Sequence, residues 1–120
     1  MLFMGDAPST VEQQLIDEGL LSPITVLRLG HHGSRTSTSP TLLDTTRPQL
    51  AVVSAGRNNT YGHPSTEVLD RLAVREIPVL RTDEGGAIRI ETDGKMWRLT
   101  RPPTPRSLRT TFVGISKAEY

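Results

Sequence analysis

Two short runs, Ile24-Thr25-Val26-Leu27-Arg28-Leu29 and Leu50-Ala51-Val52-Val53-Ser54-Ala55, are apolar with little alternation, and each runs straight into glycine, at Gly30 and Gly56. An alternating strand can leave one face in water, whereas a strand apolar on both faces needs cover on both, the condition of a parallel sheet in an α/β fold. Such folds keep their chemistry at the carboxyl ends of the strands. Here those ends deliver His31-His32-Gly33-Ser34 and, after the second run, Asn59-Thr60-Tyr61-Gly62-His63-Pro64. All 3 histidines of the chain stand in these loops, so none is left for a core.

The rest of the pattern alternates helix and strand. Met1 to Gly5 reads as a strand delivering Asp6 to its end. Ser9-Thr10-Val11-Glu12 is a capping box, and Val11, Leu15 and Ile16 outline a helix that stops at Gly19. Ser39-Pro40 opens a second helix through Leu42 and Leu43, ended by Pro48. Ser65 caps a third through Val68, Leu69 and Leu72, with Glu67 and Asp70 towards its positive end. Pro78-Val79-Leu80 leads to Arg81-Thr82-Asp83, and strands near 86–92 and 95–99 are joined by the hairpin signal Asp93-Gly94. The order βαβαβα followed by a β-hairpin predicts an α/β layered domain over residues 1–100. Residues 101–120, with Pro102, Pro103, Pro105, Arg101, Arg106, Arg109 and Lys117, read as a basic, proline-containing tail.

Composition narrows the classes. With 35% hydrophobic and 22% charged residues the 120-residue chain can bury one modest core. A net charge of +1 supplies no strong field towards nucleic acid or membrane. The absence of cysteine excludes disulfides, thiolate metal sites and a cysteine nucleophile. No apolar run approaches the roughly 20 residues of a membrane helix, and Met1-Leu2-Phe3-Met4 lacks the charged flank and length of a signal peptide. No membrane contact is expected from this segment itself.

Asp6 read alone is a turn aspartate, and adjacent histidines can merely satisfy loop hydrogen bonds. Together, carboxylate and imidazole are donors suited to zinc, manganese or iron. His63 precedes proline, whose ring holds it in extended backbone and so aims its side chain. Thr36, Ser37 and Ser39 are loop-shaping residues, whereas Ser34 and Asn59 are candidate substrate contacts. Glu12 is absorbed by the capping box, and Arg81 reads as a structural ion-pair partner.

Taken in order, Gly5-Asp6, Gly30-His31-His32-Gly33-Ser34 with Ser37, Ser54-x-Gly56-x-x-Asn59-x-Tyr61-Gly62-His63-Pro64, and Arg81-Thr82-Asp83-x-Gly85-x-Ala87-Ile88 resemble the C-terminal half of the metallo-β-lactamase-fold domain of ComEC-type competence proteins. The resemblance covers about residues 2–100. It implies half of an αββα sandwich in which two metal ions, zinc or manganese, activate a water against a phosphodiester. It also implies Asp6 as the bridging carboxylate and His31 as a metal ligand, with His32 facing substrate. His63 corresponds to the family's additional histidine beside the reacting phosphate, able to donate a hydrogen bond or a proton.

One departure matters. The family's His-x-His-x-Asp-His signature, which supplies most of the metal ligands, is absent from these 120 residues. The expectation is therefore a fragment of a metal-dependent phosphodiesterase or nuclease acting on DNA during uptake, inactive alone. Residues 101–120 folding back with Leu108, Phe112, Val113 and Ile115, a complementary N-terminal half or a second copy would cover the bare face of its sheet. The competing expectation is a non-catalytic phosphate- or protein-binding module built from the same loops.

Overall fold

The computed structural model describes residues 1–100 and the backbone of 111–115, in two compact units, Met1–Asp83 and Glu84–Tyr120. The division falls between Asp83 and Glu84.

The first unit is built on a four-stranded parallel sheet, β1 (Leu2–Phe3), β2 (Val26–Arg28), β3 (Leu50–Val53) and β4 (Val79–Arg81), in that spatial order. Its helices are α1 (Ser9–Asp17), α2 (Pro40–Thr46) and α3 (Thr66–Val74). Because strand order follows chain order, right-handed connections set all three helices on one face. Leu27, Ala51 and Val53 of the sheet join Leu42 and Leu43 of α2 and Val68 and Leu72 of α3 in one buried core. Val68 and Leu72, one helical turn apart, are both fully buried, which is what an amphipathic helix of nine residues can offer.

The local signals act as their chemistry requires. The Ser39 hydroxyl accepts the Leu42 N–H and the Ser65 hydroxyl accepts the Val68 N–H, each capping its helix. Helix α2 closes at Arg47 in the left-handed conformation, one residue before Pro48. At α1 the expected capping box does not form. Pro8 occupies the cap position and makes no side-chain bond, and the Glu12 carboxylate turns inward, fully buried, onto the backbone of residues 38 and 39. Two distant buried N–H groups outcompete the local cap, because leaving them unpaired in the interior costs more than leaving solvent-exposed helix N–H groups to water.

Strands β2 and β3 carry apolar residues on their second face also. Registered pairing sets Phe3, Arg28, Val52 and Leu80 in one row across the sheet, with Val26 and Leu50 in the next row of the same face. Val26 and Leu50 are buried, whereas Phe3 is 64% exposed.

After β4 a single helical turn, α4 (Thr82–Gly85), leads into the second unit, an antiparallel sheet of β5 (Arg89–Thr92), β6 (Met96–Thr100) and β7 (Thr111–Ile115). Its hairpin turns at Asp93-Gly94 as the sequence signals, with Gly94 at φ +92° and the Asp93 carboxylate accepting the Lys95 and Met96 N–H groups. Part of the expected tail is therefore a strand, with Thr111 to Ile115 paired against β6. Leu108, in residues 101–110, and residues 116–120 lie outside the described residues. No described helix is long and apolar enough to cross a membrane.

Candidate functional site

Parallel register carries three strand ends to one edge of the sheet. Phe3 pairs with Arg28 and Arg28 with Val52, so the residues that follow, Gly5-Asp6, Gly30-His31-His32 and Ser54, emerge side by side. The His31 N–H donates to the Gly5 carbonyl at 2.7 Å, and the His32 ring meets the Ser54 carbonyl through Nδ1 at 2.7 Å. The histidine pair is thus stitched to the strand on either side of its own.

Both histidines adopt left-handed backbone, His31 at φ 46°, ψ 46° and His32 at φ 57°, ψ 21°. For a residue with a Cβ this costs roughly 1–2 kcal/mol. It persists only where the surroundings over-determine it. Here the Ser34 N–H closes the turn onto the His31 carbonyl at 2.9 Å, and the buried Ser37 hydroxyl bonds the Gly30 and Ser34 carbonyls at 2.8 and 3.0 Å. Beyond it the Glu12 carboxylate receives the Thr38 and Ser39 N–H groups, and the Arg71 guanidinium reaches the Ser37 and Thr38 carbonyls. A fully buried carboxylate therefore anchors the loop that carries two exposed imidazoles.

The second loop is fixed from within. The Asn59 side-chain amide donates to the Gly56 and His63 carbonyls at 2.9 and 2.8 Å, while its oxygen accepts the His63 N–H at 2.8 Å. Asn59, expected to touch substrate, is thus committed to holding His63. Ser34, the other expected substrate contact, is buried, and its hydroxyl bonds that of Thr36 at 3.0 Å. The two loops meet where the Ser65 N–H donates to the Gly33 carbonyl at 2.9 Å.

The three imidazoles form one group. Ring centroids lie 6.4 Å apart for His31 and His32 and 5.9 Å apart for His31 and His63. Tyr61 lies nearly parallel to His63, at 6.0 Å and 16°. A backbone carbonyl only accepts, so the bond to Ser54 places the proton of His32 on Nδ1 and, in the neutral ring, leaves Nε2 with a bare lone pair. That is the arrangement outer hydrogen bonds impose on metal-ligating histidines. Asp6 is exposed at the same edge. Among the described residues no group of three or more histidine or acidic side chains stands close enough to hold a metal ion.

Two cavities flank this group. A smaller one of about 180 Å³ is lined by His32, Ala55, Gly56, Asn59, Tyr61 and His63. The larger, about 470 Å³, lies against Ser34, Arg35, Ser65, Thr66 and Glu67 and shares Tyr61 and His63. Sequence reasoning singled out the histidines but assigned nothing to Tyr61 or Arg35 and only a helix cap to Glu12. Only the placement of Tyr61 between Asn59 and His63 in a glycine-bounded loop signalled it.

No family model matches the chain, and no solved structure matches it significantly. Curated proteins do. ComE operon protein 3 of Bacillus subtilis (strain 168) is 39% identical over 87 residues, 72% of this chain and 11% of that protein. Recombination protein 2 of Haemophilus influenzae is 41% identical over 90 residues, covering 75% of this chain and 11% of that protein. Competence protein ComA of Neisseria gonorrhoeae is 40% identical over 91 residues, 73% and 13%. The chain spans little more than a tenth of the length of these relatives. Over about three quarters of its own length, the chain is similar to one segment of each of these proteins.

Proposed function

We propose that this chain carries the C-terminal half of a metallo-β-lactamase-fold hydrolase domain of ComEC type, a metal-dependent phosphodiesterase acting on DNA during uptake, and that it is inactive without the half bearing His-x-His-x-Asp-His. The observation that carries this reading is the gathering of His31, His32 and His63 at one sheet edge, with the His32 tautomer fixed by Ser54. The names of the relatives, which speak of competence and recombination, supply the DNA context.

In this reading Asp6 and the histidine pair are donors to a zinc or manganese site completed from outside the chain. The tautomer makes His32 at least as strong a donor candidate as His31. His63, held by Asn59, is placed to donate a hydrogen bond or proton to a phosphate oxygen.

The test is hydrolysis of bis(p-nitrophenyl) phosphate by the chain alone and by the chain joined to a segment bearing the missing motif. The expected result is no turnover alone and metal-dependent turnover in combination, reduced about 10²-fold or more by His63→Ala. Absence of turnover in a folded, metal-loaded combination contradicts the reading. A second reading, a non-catalytic phosphate-binding module, draws support from the larger cavity, where Arg35 and the Ser65 and Thr66 hydroxyls offer anion donors without a metal, against one opposing carboxylate, Glu67. Chelator-insensitive phosphate binding with no hydrolysis in any combination favours it.

A further inference from the structure

We propose that Tyr61 is a stacking platform for an unpaired nucleobase, so that the strand presented to His63 is single-stranded there. The proposal deepens the phosphodiesterase reading and rests on it for the nature of the ligand.

Tyr61 is 82% exposed, although the loop around it is tied down by the three hydrogen bonds of Asn59. Folding therefore gains little from this ring. Its near-parallel packing on His63 fixes its plane, and its high exposure leaves ring surface for a second planar group. Tyr61 and His63 line both cavities and so form the ridge between them. Any ligand occupying both must cross that ridge.

A polynucleotide has the right repeat of parts. A phosphate beside His63 and His32 places the adjoining base over Tyr61, and the next phosphate falls in the larger cavity towards Arg35 and the Thr66 hydroxyl. At about 470 Å³ this cavity is within the range of small-ligand sites, roughly 300–1,000 Å³. The bases of a duplex are stacked on both faces and take up a tyrosine only by unstacking, at a cost of a few kcal/mol, whereas an unpaired base does so freely and with little regard to sequence.

The experiment is binding of a thymidine tetranucleotide and of an abasic tetranucleotide of equal charge to the full chain, followed by NMR up to millimolar ligand in the presence of chelator. The wild-type chain is expected to prefer the thymidine strand by about fivefold to a hundredfold, with Tyr61 ring protons shifted upfield. Tyr61→Phe should keep that preference and Tyr61→Ala should abolish it, while abasic binding stays the same in both. Equal binding of the two strands overturns the proposal. So does a preference that survives in Tyr61→Ala, no Tyr61 shift at millimolar strand, or concentration-dependent burial of Tyr61 against a second copy. Because the assay needs no metal and no turnover, these failures leave the hydrolase reading standing. Conversely, an inert completed domain with the stacking preference intact overturns only that reading.

Discussion

Gly33 lies directly against Pro64: a Cβ on Gly33 would stand 2.6 Å from the Pro64 Cβ, and the glycine itself sits at φ +80°. This contact, with the Ser65 N–H bonded to the Gly33 carbonyl, couples the His31-His32 loop to the His63 loop. Only a residue without a side chain permits the approach.

Gly33→Ala should therefore cost about 2–4 kcal/mol, combining left-handed strain with overlap against a buried proline ring. Urea denaturation reads the loss. Amide shifts should spread to residues 59–65, and a change confined to residues 30–36 would show that the loops are independent.

The left-handed histidines give the opposite sign. Replacing His31 by glycine relieves backbone strain in an exposed residue, so stability should rise by about 0.5–1 kcal/mol. His31→Ala should leave stability near the wild-type value. A loss above about 2 kcal/mol in either variant, measured by thermal melting, would assign the imidazole a structural role.

Glu12→Ala removes the acceptor of two N–H groups, those of Thr38 and Ser39, and should destabilise the unit by about 3 kcal/mol. Its signature beyond stability is displacement of the His31 and His32 ring resonances. Unchanged histidine shifts would show that the carboxylate does not position them.

In the hairpin, the Met96 and then the Lys95 backbone N–H hold the Asp93 carboxyl below its ordinary range. A lowered folded value means the support is present above the unfolded value and is lost as pH falls through the folded one. An NMR titration of the Asp93 carboxyl carbon should show the lowered midpoint. Asp93→Asn should remove the acid dependence of the Lys95 and Met96 amides.

What could be read from the sequence was what local chemistry decides. The apolar runs, the Ser39 and Ser65 caps and the Asp93-Gly94 turn each act through neighbours a few residues away. Glu12 was misread because its true partners lie 26 and 27 residues on, and a carboxylate fits a capping box equally well on paper. The left-handed histidines carry only a weak propensity signal, and the conformation is held from outside by Gly5 and Ser37. The hydrogen bonds by which Asn59 holds His63 carry no signal in the sequence, since they depend on the closed shape of the loop. Strand β7 escaped notice because a proline-rich run precedes it.

On the proposed reading, two coupled loops present His31, His32 and Asp6 along one metal-facing edge, with His63 beside His31. Paramagnetic broadening by substoichiometric manganese tests it directly on the full chain. The account predicts that the His31 and His32 ring signals and the Asp6 amide broaden first and together, His63 next, and that His32→Ala weakens the effect at all of them. Broadening centred elsewhere, or the same broadening in His32→Ala, would contradict it.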